Sequence, residues 1–182
     1  IKKSLFRLDA VVERAKTPEV IARLQKGEHV VYASDAGTPG GLSDPGAYLV
    51  SRVRDELPNV FVEPIPGPSS IMAALSVAGV PANDFLFMGF LPHKKARQTA
   101  LKEVTATERT IVLFESPHRI AKLLAELTVY VPERRGIVLR ELTKMYESAY
   151  AGTLQELSEM AVKEDIPPRG EFVVVIAPAR MT

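Results

Sequence analysis

The sequence predicts an α/β protein of two domains, and three observations predict it. Strand-like and helix-like segments alternate through the first half, as in a parallel sheet with crossover helices. The pattern breaks at Val80-Pro81-Ala82-Asn83-Asp84 and resumes differently. Two predicted strands also end in polar, turn-rich loops that open onto helices, where open α/β sheets hold their ligands.

Thr17-Pro18-Glu19 reads as a helix start: Thr17 can cap, Pro18 suits the first turn, and Glu19 favours the positive helix end. Val20, Ile21 and Leu24 form its apolar face and Gly27 ends it. The apolar run 29–33 reads as a buried strand. A loop of glycine, proline and aspartate follows over 34–46, then a helix to about Leu57. Val60-Phe61-Val62 is a further strand, closed by Pro64-Ile65-Pro66-Gly67-Pro68. Ser69 and Ser70 can cap a helix over 71–78 that Gly79 terminates. The first domain is therefore 1–82.

The second domain, 83–182, opens with strand 85–90 and the polar loop Leu91-Pro92-His93-Lys94-Lys95. A helix near 96–104 precedes strand 110–114, and Glu115-Ser116-Pro117-His118-Arg119 leads into a helix to about Val129. Residues 136–141 and 146–151 read as strands. Thr153 caps a helix to about Lys163, and 171–177 is a final apolar strand.

The 182 residues are 46% hydrophobic and 25% charged, an ordinary globular composition. Basic residues number 23 and acidic residues 22, so any nucleic-acid surface must be local. The chain has no cysteine, which excludes disulfides and thiolate metal sites and fits a cytoplasmic protein. Three scattered histidines suggest no metal. No apolar run approaches the roughly 20 residues that span a bilayer, and no signal peptide is visible, so no membrane partner is expected. The chain starts at Ile1 without Met and reads as a fragment or as lacking a disordered start.

Several constellations carry chemistry. The 34–46 loop can be simple turn punctuation, but it is long and holds Asp35 and Asp44 as acceptors for hydroxyl or amine donors. It lacks the Gly-Lys-Ser/Thr of a P-loop and the Gly-x-Gly-x-x-Gly of a dinucleotide site. Pro66-Gly67-Pro68-Ser69-Ser70 is either a stiff turn or a second wall of the same crevice. Glu115 and His118 are candidates for proton transfer. His93, Lys94, Lys95 and Arg97 form a basic cluster that Arg119, Arg134, Arg135, Arg140 and Lys144 can extend toward phosphates.

In order, Ser34-Asp35-Ala36-Gly37-Thr38-Pro39, Ser43-Asp44-Pro45-Gly46, Pro66-Gly67-Pro68-Ser69, Gly89-Phe90-Leu91-Pro92, Phe114-Glu115-Ser116-Pro117-His118-Arg119, Arg140-Glu141-Leu142-Thr143-Lys144 and Gly170-Glu171-Phe172 resemble one family. It is the ribosomal RNA small subunit methyltransferase I family, a branch of the tetrapyrrole methylases (class III methyltransferases). The resemblance implies a two-domain class III fold with S-adenosylmethionine in the interdomain cleft, and a homodimer. It also implies methyl transfer to the ribose 2′-hydroxyl of a cytidine in 16S rRNA of the small ribosomal subunit.

By position, it implies cofactor contacts at Asp35, Ala36, Gly37, Thr38, Pro39, Ser43, Asp44, Ser69, Ser70, Glu115, Ser116, Leu142, Gly152 and Thr153. RNA contacts are expected at His93, Lys94, Lys95, Arg97, Arg119 and Lys144. Against the family pattern, the chain lacks the amino-terminal segment with its first strand, and the Gly40-Gly41-Leu42 stretch carries one extra residue. Two rival readings are a methylase of a tetrapyrrole or cobalamin precursor, and a truncated non-catalytic module for RNA binding or dimerisation.

Overall fold

The computed structural model describes residues 4–42 and 44–180, so Ser43 lies outside the described residues. The chain forms two compact units, Ile1–Ser69 and Ser70–Thr182. The sequence pattern suggested a division after residue 82. In the structure the linker and the helix before it belong with the second unit, because Ile71, Ala74 and Leu75 are buried against its sheet and Val80 and Ala82 pack beside them.

In the first unit, helices α1 (Glu13–Gln25) and α2 (Ala47–Glu56) pack through Val20, Ile21, Leu49 and Val53. Helix α1 begins one turn earlier than its Thr-Pro-Glu signal. Thr17 is buried inside the helix, and its hydroxyl donates to the Glu13 carbonyl at 2.8 Å instead of capping. Gly27 closes α1 at φ 78°, with its N–H on the Leu24 carbonyl and that of Glu28 on the Arg23 carbonyl.

The two strands expected in this unit are extended segments without ladder partners among the described residues. Alternation is present: Val30, Val60 and Val62 pack on the small core while Val31 and Phe61 are exposed. An alternating pattern licenses extended backbone; only a paired neighbour makes it a strand.

The second unit holds a five-stranded mixed sheet in the order β1-β2-β5-β3-β4. The strands are β1 (Phe85–Phe90), β2 (Thr110–Glu115), β3 (Arg135–Arg140), β4 (Ser148–Thr153) and β5 (Phe172–Ile176). The β1–β2 pair is parallel and the other three pairs are antiparallel. The all-apolar β5 lies at the centre and is buried along its length.

Period-two alternation sorts the side chains to two faces. Ile111, Leu113, Val138, Val174 and Ile176 face a cluster that includes leucines of α4 (Ala96–Ala106), α5 (Ile120–Thr128) and α6 (Leu154–Val162). Val112, Ile137, Leu139, Val173 and Val175 face α3 (Ser70–Ala78). Gly89, at φ 60°, marks the register shift in β1, where a left-handed residue accommodates the bulge.

Arg134, counted from sequence among the basic extensions, is instead buried. Its guanidinium donates to the carbonyls of Ala177 (2.7 Å), Val104 (3.2 Å) and Arg109 (2.8 Å), joining three segments. Helix α6 starts on a capping box: Glu156 N–H donates to the Thr153 hydroxyl at 3.1 Å, and Thr153 N–H to the Glu156 carboxylate at 2.7 Å. Those bonds hold Glu156 below the usual carboxylate range, so the cap supports the fold above that range and fades as pH falls through it. Thr153→Ala is expected to cost about 1 kcal/mol in urea unfolding at neutral pH, and less in acid.

Candidate functional site

The two glycine loops of the first unit are pinned together by backbone. Gly37 has φ 75°, and a Cβ there would lie 2.6 Å from the Pro68 carbonyl oxygen. A Cβ on Gly67 would lie 2.7 Å from the Gly37 carbonyl carbon and 3.0 Å from the Thr38 nitrogen. The Thr38 hydroxyl donates to the Ile65 carbonyl at 2.7 Å. Two loops separated in sequence therefore form one rim.

Glu13 fixes the far end of this rim. One carboxylate oxygen accepts the N–H of Gly46 at 2.8 Å and of Leu49 at 3.2 Å, capping α2 from another helix. A cap supplied from 33 residues away has no local sequence signal. On the rim, Asp35, Ala36 and Thr38 are exposed, and Pro39 and Asp44 half-buried. S-adenosylmethionine carries ribose hydroxyls, an ammonium and a carboxylate. The exposed Asp35 carboxylate and the glycine-rich backbone supply acceptors and amides of matching kind, so the donor set fits.

In the second unit, alternation puts Glu115 on the helix-covered face with Ile111 and Leu113, and its side chain is fully buried. Its Oε1 accepts the Ser116 N–H at 2.8 Å and lies 3.3 Å from Arg119 Nε; Arg97 Nη1 lies 3.9 Å from Oε2. Arg97 also pairs with Glu126 at 2.6 Å and points to the Pro92 carbonyl. Arg119 donates to the Leu91 carbonyl at 2.7 Å and to His93 Nε2 at 2.9 Å. The Leu91-Pro92-His93 and Glu115–Arg119 motifs thus interlock through two arginines.

His118 is exposed and stands outside the network, as are Lys94 and Lys95. Sequence reasoning missed Glu126 and Lys122, which pair at 4.0 Å on α5; their i,i+4 spacing on the helix after the Glu115 loop was the available signal.

The remaining candidates divide between the ends of the sheet. Glu115, Phe172, Arg140 and Ser148 are in register at one end, and Ser116 and Leu142 follow there. At that end Glu141 accepts from Glu171 N–H, and Lys144 bridges Glu141 (3.1 Å) and Glu171 (2.9 Å). Those hydrogen bonds hold Glu141 below its usual range and raise Lys144, so this lysine is committed to two carboxylates. Gly170 is glycine because a Cβ would meet the Glu141 side chain at 2.6 Å.

Gly152 and Thr153 sit at the opposite end, paired with Gly136 and Arg135 and built into the α6 cap; a Gly152 Cβ would meet Glu156 at 2.7 Å. The sheet places them about 20 Å from Glu115, three strands across and four to five residues along. Ser70 starts α3.

The chain is 41% identical over 97% of its length to ribosomal RNA small subunit methyltransferase I from Xylella fastidiosa. It is 38% identical over 97% to the protein of that name from Escherichia coli O157:H7, and 42% identical over 90% to that from Synechocystis. It spans 64%, 61% and 58% of those relatives. Among solved structures, cobalt precorrin-4 methyltransferase CbiF matches with a TM-score of 0.62 at 18% identity, covering 97% of this chain and 73% of that one. A uroporphyrin-III C-methyltransferase from Thermus thermophilus complexed with S-adenosylhomocysteine matches at 0.57 with 15% identity, covering 91% of this chain and 73% of that one. These likenesses carry the fold. The model of the tetrapyrrole (corrin/porphyrin) methylases matches residues 4–158, and the chain belongs to that family.

Proposed function

We propose that the protein is an S-adenosylmethionine-dependent methyltransferase acting on the ribose 2′-hydroxyl of a cytidine in 16S rRNA of the small ribosomal subunit, as a cytoplasmic homodimer. The observation that carries the reading is the 38–42% identity to proteins named ribosomal RNA small subunit methyltransferase I across 90–97% of the chain. No helix among the described residues is long and apolar enough to cross a membrane.

The cofactor supplies an electrophilic methyl group on a sulfonium. Asp35 through Pro39, with Asp44 and Ser69, are assigned to hold it on the rim of the first unit. The pinned loops fix the rim before binding, which cuts the entropy lost on alignment. Glu115 is a positioning residue, since its contacts orient Arg97 and Arg119 rather than leaving a carboxylate open to substrate. His118, exposed and without a hydrogen-bond partner among the described residues, is assigned to accept the hydroxyl proton. Lys94 and Lys95 are assigned to RNA phosphates.

Mapping 2′-O-methyl marks in 16S rRNA from cells with and without the protein tests this. One cytidine mark is expected to vanish without it, and His118→Ala to slow methyl transfer by 10²-fold or more, in the range of general-base losses. An unchanged map, or label entering a porphyrinoid, rejects the reading.

A further inference from the structure

We propose that the cavity lined by His93, Arg97, Arg119 and Lys122 binds one phosphate group, a backbone phosphate of the RNA; the assignment to RNA rests on the function proposed above. The cavity is about 100 Å³, the scale of a single oxyanion rather than a nucleoside. Three of its four lining side chains are cations, and the fourth is an imidazole.

The charges near it do not cancel. Arg97, Arg119 and Lys122 face only Glu115 and Glu126, leaving one positive charge. The donors are not all used either. Arg97 is only 5% exposed, yet its Nη2 touches Glu126 without hydrogen-bond geometry and has no other acceptor among the described residues. Lys122 is exposed and only 4.0 Å from Glu126, too long for a hydrogen bond.

Buried Glu115 holds Arg119 from below, while Glu126 and the Pro92 carbonyl hold Arg97. Both guanidiniums are thus fixed before any ligand arrives, the arrangement that suits oxyanion recognition. Arginine only donates, so in this contact His93 Nε2 is the acceptor toward Arg119. An entering phosphate offers Arg119 a stronger acceptor than that imidazole. With a nearly neutral whole chain, such a local site is what can set the register of an RNA strand.

The test measures binding of a 16S rRNA fragment to the intact protein over a range of salt, for wild type, Lys122→Gln and His93→Gln. Inorganic phosphate is added separately while melting is followed. Lys122→Gln, an exposed change, is expected to weaken RNA binding about three- to tenfold and to reduce the log–log salt slope by about 0.7–0.9, the loss of one phosphate contact. Phosphate is expected to raise the wild-type melting temperature, and less so in either variant. Wild-type slopes and phosphate responses in both variants overturn the proposal. A phosphate response that depends on Lys122, with an unchanged RNA slope, keeps the anion site and overturns its assignment to RNA. Methyl label in a porphyrinoid with that response intact rejects the proposed function and keeps the anion site. Methylated rRNA with wild-type slopes and wild-type phosphate responses in both variants keeps the proposed function and overturns the anion site.

Discussion

Glu115→Ala is expected to destabilise the second unit by about 3–5 kcal/mol, read as a fall in melting temperature of roughly 13–20 °C. The size follows from what remains. Arg97 and Arg119 keep side chains only 6% and 15% exposed, so their charges lose a partner without gaining water. Glu115→Gln keeps the shape but not the charge and is expected to cost nearly as much. Melting unchanged from wild type would mean that the arginines reach solvent freely and that Glu115 does not organise the loop. A purely catalytic carboxylate predicts the opposite split: normal melting and lost turnover.

Gly67→Ala is expected to lower S-adenosylmethionine affinity at least tenfold by calorimetry, with a stability loss of about 1–3 kcal/mol. The added methyl meets Gly37 and Thr38 backbone at 2.7–3.0 Å, so no side chain can move aside and the loops must separate. Gly37→Ala adds the cost of φ 75° to a clash with the Pro68 carbonyl and is expected to be at least as damaging. Gly27→Ala is the matched control. It has φ 78° but open space around it, so it reads the backbone cost alone and leaves affinity intact. Wild-type affinity in Gly67→Ala would remove the rim from the binding site.

The second unit was legible because its signals are local. Every one of its strands ends within two residues of its expected place, and the Thr153 cap and the Gly79 helix stop follow from chemistry within a few residues. The first unit was less so. Residues 29–33 and 60–62 alternate like strands, but pairing is a long-range property that no window contains. The Thr17-Pro18 signal was outweighed by packing, which buries Thr17 and extends the helix before it. At the candidate site, the residue types were legible and their allegiances were not. Glu115 looked like an acid at a strand end; only the parity of β2 shows that it points into the helix layer, at Arg97. Lys144 read as a phosphate ligand; its pairing with Glu171, 27 residues on, has no local signal.

The strand order has a consequence for how the protein is made. The centre of the sheet, β5, is the last of the described strands to leave the ribosome. Until it emerges, β1–β2 and β3–β4 are separate two-strand ribbons, too small to be stable alone. The inner edges of β2 and β3 stay open through synthesis of α6 and the loop after it. At about 5–20 residues per second the interval is a second or more, long enough for those edges to find another nascent chain. Phe172-Val173-Val174-Val175-Ile176 then closes both at once, so the unit is expected to appear in a single late step rather than strand by strand.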